Sequence, residues 1–121
     1  DQGIAALQKG LGEVWSKTVV IVVTEFGRTV KVNGTAGTDH GTATAAMLLG
    51  GAVNGGRVIA DWPGLSESDL YEGRDLQPTT DIRSVFKGVL AQHFVLEEGF
   101  LEKRVFPDSK SAPILEDLVR A

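Results

Sequence analysis

Cysteine is absent from this chain. Its absence excludes disulfides, a thiolate nucleophile and thiolate metal ligands, and it leaves the redox compartment open. Histidine occurs only twice, at His40 and His93, so a structural zinc site of cysteine and histidine cannot be assembled from this chain alone. Basic residues are scattered, and 12 Lys and Arg against 16 Asp and Glu give a formal net charge of -4. With no basic cluster and no interleaving of aromatic and basic side chains, nucleic acid is not an expected partner. No apolar run approaches the roughly 20 residues that cross a bilayer, so no membrane span is expected. Internal repeats and low-complexity tracts are also missing.

What is present reads as globular. At 121 residues, 42% apolar and 23% charged, the chain is a single domain or a fragment of one, long enough to bury a core. It opens at Asp1-Gln2-Gly3 without an initiator Met, and we expect a processed chain or a piece of something longer. The organising stretch runs from Thr18 to Gly56. Its first part, Thr18-Val19-Val20-Ile21-Val22-Val23, is apolar and rich in β-branched residues, without alternation. Such a run predicts a strand buried on both faces, as in the middle of a parallel sheet. Glu25 and Arg28 follow at its carboxyl end, the edge where open α/β sheets bind ligands.

The remaining elements follow from periodicity and turn chemistry. Ile4, Leu7, Leu11, Val14 and Trp15 recur at helical steps and predict a helix over Gln2–Ser16. Val30 to Gly37 reads as a loop, with a hairpin allowed across Asn33-Gly34. A strand is expected over Ala45–Leu49 and a short one over Arg57–Ala60. Asp61 to Gln77 reads as a surface excursion, with an edge strand near Leu76. Thr79 or Thr80 is the expected N-cap of a second helix, Asp81–His93, with Asp81 in its first turn. A shorter helix over Glu97–Lys103 stops at Pro107, and Ile114–Val119 reads as a last helical turn or two. Together these predict an α/β fold: a mainly parallel sheet of three or four short strands flanked by helices. An uncovered sheet edge would favour association with a second copy.

Chemistry-bearing side chains gather in the organising stretch. Asp39 and His40 sit among glycines in Gly37-Thr38-Asp39-His40-Gly41. A carboxylate and a histidine at one sheet edge suit a metal ion or an acid/base pair, although Asp39 equally suits an Asx-turn. Glu25 is a candidate ligand or a loop carboxylate paired with Arg28. Arg28 is a candidate oxyanion binder through its fork of donors, or a lock for the Glu25 loop. His93 reads as a helix-end histidine favoured by the dipole, and Trp15 and Trp62 as packing residues. The glycine-rich stretches Gly34–Gly41 and Gly50–Gly56 carry neither the ending of a P-loop nor the spacing of a dinucleotide fingerprint.

These residues carry a resemblance. Thr24-Glu25-Phe26-Gly27-Arg28, Gly37-Thr38-Asp39-His40-Gly41, Met47-Leu48-Leu49-Gly50-Gly51 and the Thr80-Asp81-Ile82 helix start together resemble the C-terminal part of the alkaline-phosphatase (sulfatase-like) superfamily. Over Leu7 to Phe106 they resemble in particular its domain of unknown function 1501 branch. The resemblance implies a metal-dependent hydrolase of phosphate or sulfate esters, exported to the periplasm, using a divalent metal such as zinc or manganese. It implies metal ligation by His40, with Glu25 and Asp39 as further oxygen donors, and substrate contact by Arg28. Phe26 stands where the superfamily has a second histidine ligand, so the usual two-metal site is incomplete. The nucleophile and an aspartate-histidine pair belong to the part of the superfamily upstream of what corresponds to Asp1. The chain is therefore expected to be inactive by itself, with the upstream part of the same protein or a second copy as its partner. The alternative is a non-catalytic alkaline-phosphatase-like scaffold or binding module of an exported assembly.

Overall fold

The computed structural model describes residues 2–120. The chain divides into two compact units, one built from Asp1–Ile21, Leu48–Arg57 and Asp81–Ala121, the other from Val22–Met47 and Val58–Thr80.

The first unit begins with helix α1, Gln2–Leu11, which passes into a 3-10 stretch over Gly12–Lys17. The helix expected over Gln2–Ser16 is thus α-helical only up to Gly12, where the glycine-containing sequence gives up the α register. None of the described α1 residues is buried. Thr18 ends the 3-10 stretch in an extended conformation and donates its N–H to the Trp15 carbonyl at 3.0 Å. The β-branched run then forms strand β1, Val20–Val22, whose single partner is β4, Met47–Leu49.

The mainly parallel sheet of three or four strands is not formed. The described residues hold two separate two-stranded sheets, and the other pair, β2–β3, is antiparallel. A β-branched run fixes an extended backbone, whereas its neighbours are set by the rest of the fold. Here β1 has one neighbour, and Val22 and Val23 stay exposed. Arg57–Ala60 forms no strand, and Ile114–Val119 forms no helix. Instead Val119 bridges Val53 in antiparallel fashion.

Helix α2, Ile82–Phe94, is the longest element. Its N-cap is Asp81, not Thr79 or Thr80. The Asp81 carboxylate accepts the Arg83 N–H at 2.9 Å, satisfying a donor that the first turn leaves free. Of the expected apolar stripe of Ile82, Val85, Phe86, Val89, Leu90 and Phe94, Val89 is buried and the others stay partly or fully open. The buried face is Ser84, Lys87, Gly88 and Val89. The reason lies in the C-terminal segment, which runs along this small and polar stripe. The Ser84 carbonyl accepts the Leu115 N–H at 3.2 Å. Gln92 donates to the Leu115 carbonyl at 2.8 Å and accepts from the Leu118 and Val119 N–H groups at 2.7 and 3.0 Å. Lys87, with no exposed side-chain surface, reaches Glu102 at 3.3 Å and the Ser109 carbonyl at 3.2 Å. The half-buried Gln92 side chain thus satisfies three backbone groups of an irregular segment, which is how such a segment is packed without orphaned donors. Helix α3, Glu98–Phe100, continues as a π-helical stretch, Leu101–Val105. It carries the buried Leu101, and Phe106 just beyond it stacks on Phe86 at 6.1 Å. Val53, Val89, Leu101, Ala112 and Leu118 make most of this unit's core.

The second unit is organised by a hairpin. Strand β2, Gly27–Arg28, pairs antiparallel with β3, His40–Gly41, in the register Gly27 to Gly41 and Arg28 to His40. A Cβ on Gly27 would lie 2.4 Å from the Gly41 carbonyl oxygen, and one on Gly41 would lie 2.5 Å from the Arg28 carbonyl carbon. The two glycines therefore permit a backbone approach that no other residue pair allows. Leu70 is the one buried apolar residue of this unit among those described.

Candidate functional site

The β2–β3 hairpin positions the residues singled out from sequence. Its tip is built by Asn33. The Asn33 N–H donates to the Gly37 carbonyl at 2.8 Å. The Asn33 side-chain oxygen accepts from the N–H groups of Thr35 and Gly37, both at 3.0 Å, and from the Thr35 hydroxyl at 2.8 Å. An asparagine that mimics a turn in this way fixes a tight loop from local sequence alone. The loop reverses the chain through several residues, so the reversal is wider than a two-residue turn at Asn33-Gly34.

Below the tip the two strands set the site. Arg28 and His40 are directly opposite in the register, and opposite residues project to the same face of a sheet. Both are exposed. The His40 ring stacks on Phe26, with centroids 4.5 Å apart and planes 18° from parallel. Asp39 lies just before β3, and its side chain turns back into the loop. There it accepts a hydrogen bond from the Asn33 amide at 2.8 Å. Its backbone is held as well, by Thr29 N–H to the Asp39 carbonyl and Asp39 N–H to the Thr29 hydroxyl, both at 3.0 Å. Glu25 lies in the exposed bend before Phe26. No ion pair joins Glu25 to Arg28 among the described residues. The hairpin thus brings Arg28, His40 and Phe26 together and sends Asp39 into the loop.

A complete metal centre does not follow from these residues. No group of three His, Cys, Asp or Glu side chains able to hold an ion occurs among the described residues. Catalytic zinc takes three protein ligands, and His40 with Glu25 supplies two at most. One face of the His40 ring is covered by Phe26.

One functional-looking residue was not found from sequence. Asp75 has only 2% of its surface exposed. It accepts from Arg74 at 2.7 and 3.2 Å and from the Thr42 hydroxyl at 2.7 Å. These bonds, Arg74 first and Thr42 second, hold its carboxyl below the usual carboxylate range. Its backbone bridges Thr29 on one side and Tyr71 on the other. Asp75 therefore ties the start of β2's extension and the residue after β3 to one buried carboxylate. Asp61 to Gln77 reads from sequence as a surface excursion, which gives no signal for the burial of Asp75.

The hairpin lies inside a family match. Residues 1–106 match the family model described as protein of unknown function, DUF1501, and the chain belongs to that family. No curated protein and no solved structure matches it. No described helix is long and apolar enough to cross a membrane.

Proposed function

We propose that this chain supplies an oxyanion-recognition hairpin for a phosphate or sulfate ester, within an alkaline-phosphatase-like protein whose remaining catalytic groups lie outside the described residues. The observation that carries the reading is the register pairing of Arg28 with His40 on one exposed strand face. A guanidinium presents a planar fork of donors to a tetrahedral oxyanion. The neighbouring imidazole offers either a nitrogen lone pair or an N–H to the same ligand. Zinc or manganese enters this reading through His40, with Glu25 as the adjacent carboxylate and the remaining ligands from elsewhere. Such an ion, when complete, polarises an ester oxygen and lowers the pKa of a bound nucleophile. The chain's own residues orient the anion, and nothing described supplies a nucleophile. An exported setting and a partner carrying the missing groups belong to the same proposal.

A second reading has one observation in its favour. Phe26 packs flat against His40, as a scaffold that had given up metal chemistry would arrange it. Calorimetric titration of zinc and of manganese into the full-length protein that carries the remaining ligands, and into its H40A variant, separates the two. Saturable binding in the parent, weakened at least about tenfold in H40A, supports the hydrolase-related site. If the parent and the variant bind equally, or neither binds, the metal role of His40 is wrong and the scaffold reading stands.

A further inference from the structure

The first unit carries a groove that the hairpin reading does not use. It has a volume of about 450 Å3 and is lined by Ser16, Lys17, Gly51, Gln92, His93 and Arg120 together with two apolar neighbours. We propose that this groove binds a tetrahedral oxyanion, phosphate or sulfate, held by Lys17, His93 and Arg120.

Three observations carry the assignment. The first is charge. The chain has an excess of carboxylates, yet the lining holds three basic side chains and no Asp or Glu. None of the three forms an ion pair among the described residues. The second is origin. Lys17 comes from the end of the 3-10 stretch, His93 from the last turn of α2, and Arg120 from the C-terminal segment. The third is rigidity of the frame. Gly51 N–H donates to the Trp15 carbonyl at 3.0 Å, Ala52 N–H to the Thr18 carbonyl at 3.3 Å, and Arg120 N–H to the Ala52 carbonyl at 2.8 Å. Gln92 holds the segment before Arg120 through Leu118 and Val119. The backbone that presents the three basic groups is thus fixed before any ligand arrives, which lowers the entropic cost of binding. Complementing the carbonyl ends of helices would account for Lys17 and His93. It does not account for Arg120, which follows no helix.

The two histidines make the test local, because His93 reports the groove and His40 the hairpin. The chain is titrated with inorganic phosphate at constant pH and ionic strength, and both imidazoles are followed by NMR. The expected result is a saturable shift of the His93 ring with an apparent Kd on the order of 1 mM. It should be about fivefold weaker in R120Q and weaker again in K17Q/R120Q. Raising sodium chloride should weaken it further, as screening requires. Phenyl phosphate run in parallel distinguishes the sources. Equal affinity points to the free ion, and tighter binding points to an esterified ligand. A His93 shift that is linear in phosphate, or that is unchanged in the double variant while both proteins melt at the same temperature, overturns the proposal. It would leave Lys17 and His93 as helix-end charges.

Discussion

Asp75 shows how a single carboxylate can organise a loop-rich unit. Its folded pKa is lowered, by hydrogen bonds from Arg74 first and Thr42 second, so folding favours its charged form. That stabilisation is complete above the unfolded value of about 3.9 and is lost as pH falls through the lower folded value. Asp81, lowered chiefly by its hydrogen bonds from Arg83, acts with the same sign in the same window. Urea unfolding at a series of pH values should therefore show stability steady near neutrality and falling below about pH 4. D75N should lower stability near neutrality and reduce the acid slope. A slope identical to the parent's would show that Asp75 does not carry it. The residues legible from sequence were those whose partners are local. Asn33 and Gly37 announced a turn, whereas the Asx-turn expected of Asp39 does not form among the described hydrogen bonds, its carboxylate accepting from the Asn33 side-chain amide instead. The carboxylate of Asp75 was invisible because its partner Thr42 lies 33 positions away, and no local pattern encodes that pairing.

At the scale of elements, the longer helices were legible, whereas the sheet was not and the helical turn expected over Ile114–Val119 does not form. Helical periodicity placed α2 to within a residue or two at each end, because its repeat is written in contiguous sequence. The strand run at β1 was equally visible, but its pairing depends on residues that periodicity does not address. Even for α2 the buried face was placed only in part: Val89 is buried, but the rest of the expected apolar stripe is not. The expected stripe was apolar, whereas the C-terminal segment packs on Ser84, Gly88 and Gln92. This packing makes Gly88 a sharp test. A Cβ there would stand 2.3 Å from the Leu115 carbonyl oxygen and 2.9 Å from a Leu118 methyl. G88A, which stabilises an ordinary helix interior by up to about 1 kcal/mol, should here destabilise by about 1–3 kcal/mol, read as a lower urea midpoint. A rise in the midpoint would mean that the segment does not pack as described. At the other end, D81A removes the N-cap and should cost about 1 kcal/mol, with D81N recovering most of it. Circular dichroism melts of the three proteins check this.

On the scale of the whole molecule, the two units differ in what holds them. The first has a core of buried aliphatic side chains from α2, the π-helical stretch and the C-terminal segment. In the second, Leu70 is buried, while Val58, Ile59, Trp62 and Leu65 are 91%, 50%, 60% and 53% exposed. Residues 55–65 also donate no backbone hydrogen bond among those described outside helices and strands. Local opening is cheap where buried contacts and backbone bonds are few. Hydrogen exchange should therefore be fast over residues 58–65 and slow over Val85–Leu90 of α2. Comparable protection in both stretches would contradict the burial described.

The Val53–Val119 bridge spans 66 positions of sequence, and the Arg57 guanidinium donates to the carbonyl of Asp117. Both contacts depend on residues synthesised well after the hairpin. During vectorial synthesis the segment carrying the hairpin is therefore complete while the first unit is still open. That unit closes only when residues 117–119 have emerged, by long-range contacts that form slowly. Removing residues 117–119 would thus act on the middle of the sequence, by leaving the Ala52–Arg57 strip without the segment that pairs with it.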